Sequence, residues 1–266
     1  MKLSIVIPNY FTNKPGKIVP NGDEALWFAK HCFERLKKYT KDYELILVDN
    51  GSVHGQELLE EWADVLITNK ENLGFAKGCN QGFRAAKKEW IVCMNNDIFV
   101  YEGWLEMLIK TFEDNSDCGV AMPALMKQTK DGREALKIDK PDLTLNYGKY
   151  GKDAEFGSLW MTRKDILDKV GLFDENFKIG FGEDRDLWRR MRIAGYNTYR
   201  THNTRVFHQG NVTMASIENR KSYTGPNREY LKQMDELEKS GKKLSAEEKI
   251  ELRKKADVDY KKGLEE

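Results

Sequence analysis

The sequence has no long apolar run. Leu3–Ile7, Leu45–Val48 and Trp90–Met94 are its main apolar stretches, and the first stops at Pro8. A bilayer crossing takes about 20 apolar residues, and a secretory signal core about 7–15, so neither is expected. The expectation is a cytoplasmic protein whose membrane contact, where it has one, is peripheral. A charge excess of either sign is also missing, since 44 lysines and arginines face 43 aspartates and glutamates. Without a basic field there is no electrostatic footprint for nucleic acid. Cysteine is scarce, and Cys32, Cys79, Cys93 and Cys118 lack metal-ligand spacing. Three of them fall inside predicted helices or strands, where a free thiol behaves as a small hydrophobe. That usage fits a reducing compartment. His31, His54 and His202 sit in no motif and assemble no nucleophilic triad with a serine or cysteine. A dinucleotide fingerprint is absent as well, because the glycines of Asn72–Gly82 do not follow the G-x-G-x-x-G spacing.

What is present is enough apolar material for a core. Of 266 residues, 40% are hydrophobic and 11% aromatic, which allows one large domain or two modest ones. Short apolar runs alternate with helical patterns. Strands are predicted at Leu3–Ile7, Tyr43–Val48, Val65–Thr68, Trp90–Met94 and Val120–Leu125. Helices are predicted at Glu24–Tyr39, Glu57–Trp62, Gly74–Lys87 and Trp104–Phe112. Near-continuous apolar strands alternating with helices imply a parallel sheet covered on both faces. Ligands of such sheets sit beyond the carboxyl ends of the strands. Lys127–Lys152 reads as loop with one short strand. Thr162–Val170 and Arg185–Ala194 read as helices, and Asn197–Arg200 and Arg205–Phe207 as short strands. From about Tyr223 the composition turns charged, with eleven acidic and ten basic residues between Glu229 and Glu266. Tyr230, Met234 and Leu237 give this segment one apolar stripe. Ser245 and Glu248 have the spacing of a capping box.

Several strand ends carry polar residues. Ile7-Pro8-Asn9-Tyr10 closes the first strand and Val48-Asp49-Asn50-Gly51-Ser52 the second. Asp49 suits the N–H groups of a base or ribose hydroxyls, because a carboxylate accepts charge-assisted hydrogen bonds; taken alone, Asp-Asn-Gly-Ser reads first as ordinary turn chemistry. Gly74, Gly78 and Gly82 bare one helix face, at about 1 kcal/mol each relative to alanine. Close packing, or a ligand at the helix N-terminus, must compensate. Asn95-Asn96-Asp97 follows the fourth strand. A carboxylate there could hold a divalent cation that bridges two phosphates, and His208 would add an imidazole better suited to Mn²⁺ than to Mg²⁺. Finally, Glu183, Asp184 and Asp186 crowd three carboxylates into four residues. Acidic residues favour the first turn of a helix, and Asp186 and Arg190 stand at the i,i+4 spacing of a surface pair. So dense a cluster also fits a site that moves a proton.

Taken in order, these segments resemble family 2 glycosyltransferases of the GT-A fold, especially the rhamnosyltransferase-like branch. The resemblance runs from about Lys2 to Thr213. Ser4–Tyr10, Val48–Ser52, Asn72–Phe75 with Asn80, Met94–Asp97, Gly157–Arg163, Gly171–Phe177, Gly182–Leu187 and His208–Gly210 carry it. It implies a Rossmann-like, mostly parallel α/β sheet flanked by helices over residues 1–222, with a charged helical extension over 223–266. It also implies inverting, metal-dependent transfer of a hexosyl group from a nucleoside diphosphate sugar to an acceptor hydroxyl. The acceptor would be a saccharide, a lipid-linked sugar or a protein, in surface polysaccharide, glycan or glycoconjugate synthesis. On this resemblance Asp184 is the base, with Glu183 second. Pro8, Asn9, Tyr10, Asp49, Asn72, Gly74, Asn80, Asn95 and Asn96 bind the donor. Trp160, Asp186 and Trp188 meet the acceptor, with Phe181 a further stacking candidate, and Asp97 and His208 hold Mn²⁺ or Mg²⁺. The extension offers a surface for an oligomer. Two features depart from the family's pattern: Asn95 stands where many relatives carry a first metal-binding aspartate, and Phe11–Asp23 is longer than the usual short turn. A metal-dependent nucleotidyltransferase, or a sugar-nucleotide-binding module without catalysis, are the competing readings.

Overall fold

The computed structural model describes residues 3–126, 132–140, 151–152, 157–210, 212–213, 217 and 221–262. Strand β1 (Leu3–Asn9) pairs in parallel with β2 (Tyr43–Asp49) and β4 (Trp90–Met94), and β2 pairs with β3 (Val65–Thr68). Along β1 the side chains alternate between two cores, as the period of a strand requires. Leu3, Ile5 and Ile7 enter one core with Phe33 and Leu36 of α1 (Glu24–Tyr39) and Trp104 and Leu108 of α4 (Trp104–Asp114). Val6 enters the other with Cys79 and Phe83 of α3 (Phe75–Ala85) and Leu187 and Met191 of α7 (Glu183–Ile193). Burial on both faces is why these strands read as unbroken apolar runs. Helix α2 (Gln56–Trp62) completes the crossover from β2 to β3.

The second half of the sheet departs from the sequence expectation. Leu159–Arg163 is a strand, β8, running antiparallel between β4 and β6 (Cys118–Leu125). The expected helix at Thr162–Val170 therefore begins only at Lys164, as α6 (Lys164–Val170). The two short strands expected at Asn197–Arg200 and Arg205–Phe207 are one, β9 (Asn197–His208), parallel to β6. A two-residue strand, β5 (Ile98–Phe99), pairs antiparallel with the end of β9. The strand order is β3-β2-β1-β4-β8-β6-β9-β5, a mostly parallel α/β sheet with antiparallel insertions. The loop expected at 127–152 lies largely outside the described residues. Within them are α5 (Gly132–Leu136) and β7 (Gly151–Lys152), which pairs with β9.

Two helices close the chain, α8 (Lys221–Lys239) and α9 (Ala246–Lys262). The capping box at α9 forms in both directions: Ser245 N–H donates to Glu248 Oε2 at 2.8 Å, and Glu248 N–H to Ser245 Oγ at 3.2 Å. Tyr230, Leu231, Met234 and Ala256 pack against Phe177, just upstream of α7. Among the described residues no helix is long and apolar enough to cross a membrane. All four cysteines are buried and free.

Candidate functional site

Parallel pairing sets Asn9 beside Asp49, so the ends of β1 and β2 share one edge. Asn50 N–H donates to Asn9 O at 2.8 Å, and Asn96 Nδ2, just past β4, donates to Asn9 Oδ1 at 3.1 Å. Asn50 organises the neighbouring segment. Its amide donates to Asn72 Oδ1 at 3.0 Å and Gly74 O at 3.1 Å, and its Oδ1 accepts from Leu73 N–H at 3.1 Å. Beyond this edge opens a cavity of about 100 Å³. Pro8, Asn9, Tyr10, Asn72, Asn95 and Asn96, six of the nine residues assigned to the donor, line it together with Asp97.

The other three donor candidates are placed differently. Asp49 Oδ1 accepts from Ser52 N–H at 2.9 Å and shapes its own turn. Gly74 is left-handed (φ 88°), and a Cβ there would come within 2.8 Å of Ile179 N. Gly82 faces Val6 so closely that a Cβ would lie 2.2 Å from Cγ1, and Gly78 abuts Asn50. The glycine face is therefore explained by packing. Asn80 does not reach the cavity: it is buried, its amide donates to Phe173 O and Glu175 Oε1 at 2.9 Å each, and its Oδ1 accepts from Phe173 N–H at 3.0 Å. It is a clamp between α3 and the segment after α6.

Asp97 and His208 meet because β5 pairs Ile98 with His208. His208 Nε2 lies 3.3 Å from Asp97 Oδ1, while Gly210 N–H donates to Asp97 Oδ2 at 2.9 Å. Burial disfavours the imidazolium, but the Asp97 carboxylate outweighs it and raises the His208 pKa. No cluster of three or more His, Cys, Asp or Glu residues forms among the described residues. The two-residue pair still fits a hard cation that takes its remaining ligands from diphosphate and water. Asn95 Oδ1, in the wall of the same cavity, is buried without a hydrogen-bond partner among the described residues, an acceptor that a water or a bound group would satisfy. The long loop beside this pair is pinned by Asp23, whose Oδ2 accepts from Thr12 N–H at 2.8 Å and Asn13 N–H at 2.7 Å. Lys14 and Lys17 of that loop line a second cavity with Gln209 and Gly210.

The acidic cluster divides into three environments. Asp186 is fully buried and held by Arg189 Nη2 and Arg190 Nε at 2.8 Å each. Burial pushes its pKa up, but Arg190 and Arg189 more than offset this and lower it. The i,i+4 pair expected at the surface is thus an interior one, and Asp186 is closed to an acceptor. Trp160 and Trp188 are closed too. Both are fully buried, with ring centroids 5.2 Å apart in an edge-to-face pair. Of the aromatic candidates Phe181 is exposed, with Arg228 over its ring at 4.6 Å. Glu183 is buried, its Oε2 has no hydrogen-bond partner, and burial, reinforced by Asp184, pushes its pKa up to about 8. Asp184 is half-buried and packs on Gly157, where a Cβ would lie 2.2 Å from its Oδ2. One residue on, Ser158 O accepts from Asn95 N–H at 2.8 Å. Asp184 therefore stands one strand away from the Asn95–Asp97 loop.

Asn50, Phe75 and Ile179 also line the first cavity. Asn50 and Phe75 belong to the Val48–Ser52 and Asn72–Phe75 motifs without being expected to meet the donor, and nothing in the sequence pattern around Ile179 marks it.

A Rossmann-like sheet whose strand ends gather asparagines, a carboxylate–imidazole pair and an acidic helix start is the GT-A architecture. The chain belongs to glycosyl transferase family 2, whose model matches residues 18–171. It is 31% identical over 186 residues to the uncharacterized protein Rv1525 of Mycobacterium tuberculosis, covering 67% of each chain. In structure it is similar to S. aureus TarS 1-349, with a TM-score of 0.63 at 14% identity over 95% of this chain and 69% of that one. It is also similar to the mannosyltransferase PcManGT of Pyrobaculum calidifontis in complex with GDP-Man and Mn²⁺, with a TM-score of 0.58 at 14% identity over 96% of this chain and 69% of that one. The chain spans 28% and 35% of the length of two further curated relatives that it matches.

Proposed function

We propose that this chain is an inverting, metal-dependent glycosyltransferase that moves a sugar from a nucleoside diphosphate to an acceptor hydroxyl. The observation that carries the reading is the convergence of Asn9, Tyr10, Asn72 and Asn95–Asp97 around one cavity, with Asp184 one strand away. The donor's nucleoside lies against Pro8, Asn9, Tyr10 and Asn72, near the turn that Asp49 shapes. Asp97 and His208, with the amide oxygen of Asn95, are the residues that would hold a divalent cation. Such a cation, when bound, stabilises the charge of a leaving diphosphate. That PcManGT was solved with GDP-Man and Mn²⁺ supports a divalent cation and a nucleotide-sugar donor for this fold.

The acceptor oxygen attacks the anomeric carbon as the bond to the diphosphate oxygen breaks, and the hydroxyl proton passes to a carboxylate. Asp184 is that base. Glu183 is disfavoured on two grounds: it is buried away from any acceptor, and with a pKa of about 8 it is protonated at neutral pH. Displacement with a base on the face opposite the leaving group inverts the anomeric centre. The acceptor, a saccharide, a lipid-linked sugar or a protein, approaches past Phe181. The division into a transferase unit, 1–222, and a helical extension, 223–266, belongs to the same reading.

The test is turnover of nucleoside diphosphate sugars by the wild type and by Asp184→Asn. The wild type should release nucleoside diphosphate, and the variant should lose at least about 10³-fold in kcat while binding donor almost as tightly. Near-normal transfer by Asp184→Asn would overturn the base assignment. Release of pyrophosphate from a nucleoside triphosphate would overturn the reaction class.

A further inference from the structure

We propose that the C-terminal helical pair is part of the transferase site, acting through Asn227 as a positioning residue for the loop that leads into the helix bearing Asp184. The inference rests on the reading of Asp184 as the base. It starts from a backbone anomaly: between Phe177 and α7, Ile179 (φ 61°), Phe181 (φ 95°) and Gly182 (φ 104°) all lie in the left-handed region. Ile179 is β-branched and Phe181 bulky, so both are strained there. Such a backbone persists only where its surroundings over-determine it.

Two contacts supply that determination. On the donor side, Phe75 N–H donates to Ile179 O at 2.6 Å. On the other side stands Asn227 of α8, fully buried. Its Nδ2 donates to Lys178 O at 2.9 Å and to Gly180 O and Phe181 O at 3.1 Å each. Its Oδ1 accepts from Lys178 N–H at 3.2 Å and from Arg253 Nη1 of α9 at 2.6 Å. One amide thus reads three carbonyls and a backbone N–H of the strained segment, and Arg253, itself buried, fixes which way that amide faces. Only a side chain that donates and accepts at this length satisfies the set.

The loop reaches the site from both ends. Ile179 lines the donor cavity, and Gly182 caps the helix whose second residue is Asp184. The helical pair is anchored beside it by Tyr230, whose ring meets Phe177 at 5.2 Å and whose hydroxyl donates to Asp174 Oδ2 at 3.0 Å. The charged extension is therefore coupled to the chemistry through a polar contact, in addition to covering apolar surface.

The test uses the full chain with Asn227→Asp, which keeps the shape and replaces the donors by oxygen, and Arg253→Met, which frees the amide. Amide hydrogen exchange over residues 178–186 should accelerate at least about tenfold in both, with β1, β2 and β4 unchanged. A misplaced base should lower kcat by about 10- to 100-fold while KM for donor moves less than about threefold. Unchanged exchange with kcat near the wild-type value would overturn the proposal. Loss of the cooperative melting transition in both variants would overturn it too, because the contact would then belong to global stability. Exchange needs no turnover, so a wild type inactive on every donor would defeat the transferase reading and leave the loop contact to be judged by exchange alone.

Discussion

Replacing Glu183 by glutamine removes the one carboxyl of the acidic cluster that the fold keeps uncharged. The folded pKa of about 8 stands against an ordinary value of 4.5, raised first by burial and then by the neighbouring Asp184. Between those two values the folded state holds a proton that the unfolded chain has released. The stability that Glu183 contributes is therefore greatest below pH 4.5, declines as pH rises, and levels off above pH 8. With about 1.36 kcal/mol per pKa unit, the loss between pH 5 and pH 9 is roughly 4 kcal/mol. Glutamine keeps the shape and does not titrate. Urea unfolding at pH 5, 7 and 9, followed by tryptophan fluorescence, should show the wild type losing about that much more stability across this range than Glu183→Gln. Parallel profiles for the two proteins would refute the assignment of Glu183 as a buried neutral acid.

Other outcomes follow from the same geometry. Gly157→Ala puts a methyl group on Asp184 Oδ2. It should cut kcat by about 10- to 100-fold through displacement of the base, with the melting temperature nearly unchanged. Asp97→Asn should weaken Mn²⁺-dependent donor binding by at least about tenfold, read by titration calorimetry. Asp186→Ala strands Arg189 and Arg190 and should cost about 3–5 kcal/mol in urea unfolding. The stability Asp186 supplies is present above pH 3.8 and lost as pH falls through its lower folded value. Trp188→Ala empties a fully buried site and should cost about 3–5 kcal/mol; a specific rise in acceptor KM at unchanged stability would restore its assignment to the acceptor.

The first half of the fold is legible because its strands are short apolar runs and its helices have clear period and caps. Asp23, for example, caps α1 by accepting from Leu26 N–H at 3.0 Å. Strand β8 is not legible for a physical reason. Leu159 and Met161 enter one core and Trp160 the other, so no polar alternation marks it off from the helix that follows. β9 reads as two pieces because Thr201–Thr204 interrupts its apolar character. At the site, the strand-end motifs place the cavity, but the roles within the acidic cluster depend on burial. Asp184 and Asp186 are both acidic residues of one helix turn, and only the packed helix shows that Asp186 faces two arginines while Asp184 faces Gly157. Asn227 lies in a segment that composition marks as solvated charge, and its contacts form only when α8 meets the loop 178–181.

The most direct test of the central claim is a thermal-shift panel of nucleoside diphosphate sugars with and without Mn²⁺. A cognate donor at about 100 times its Kd stabilises the folded state by about 2.7 kcal/mol. For a chain of this size that is a rise in Tm of roughly 5–10 °C, expected with Mn²⁺ and much reduced in its absence or in Asp97→Asn. A flat panel, with no donor shifting Tm under either condition, would contradict the account.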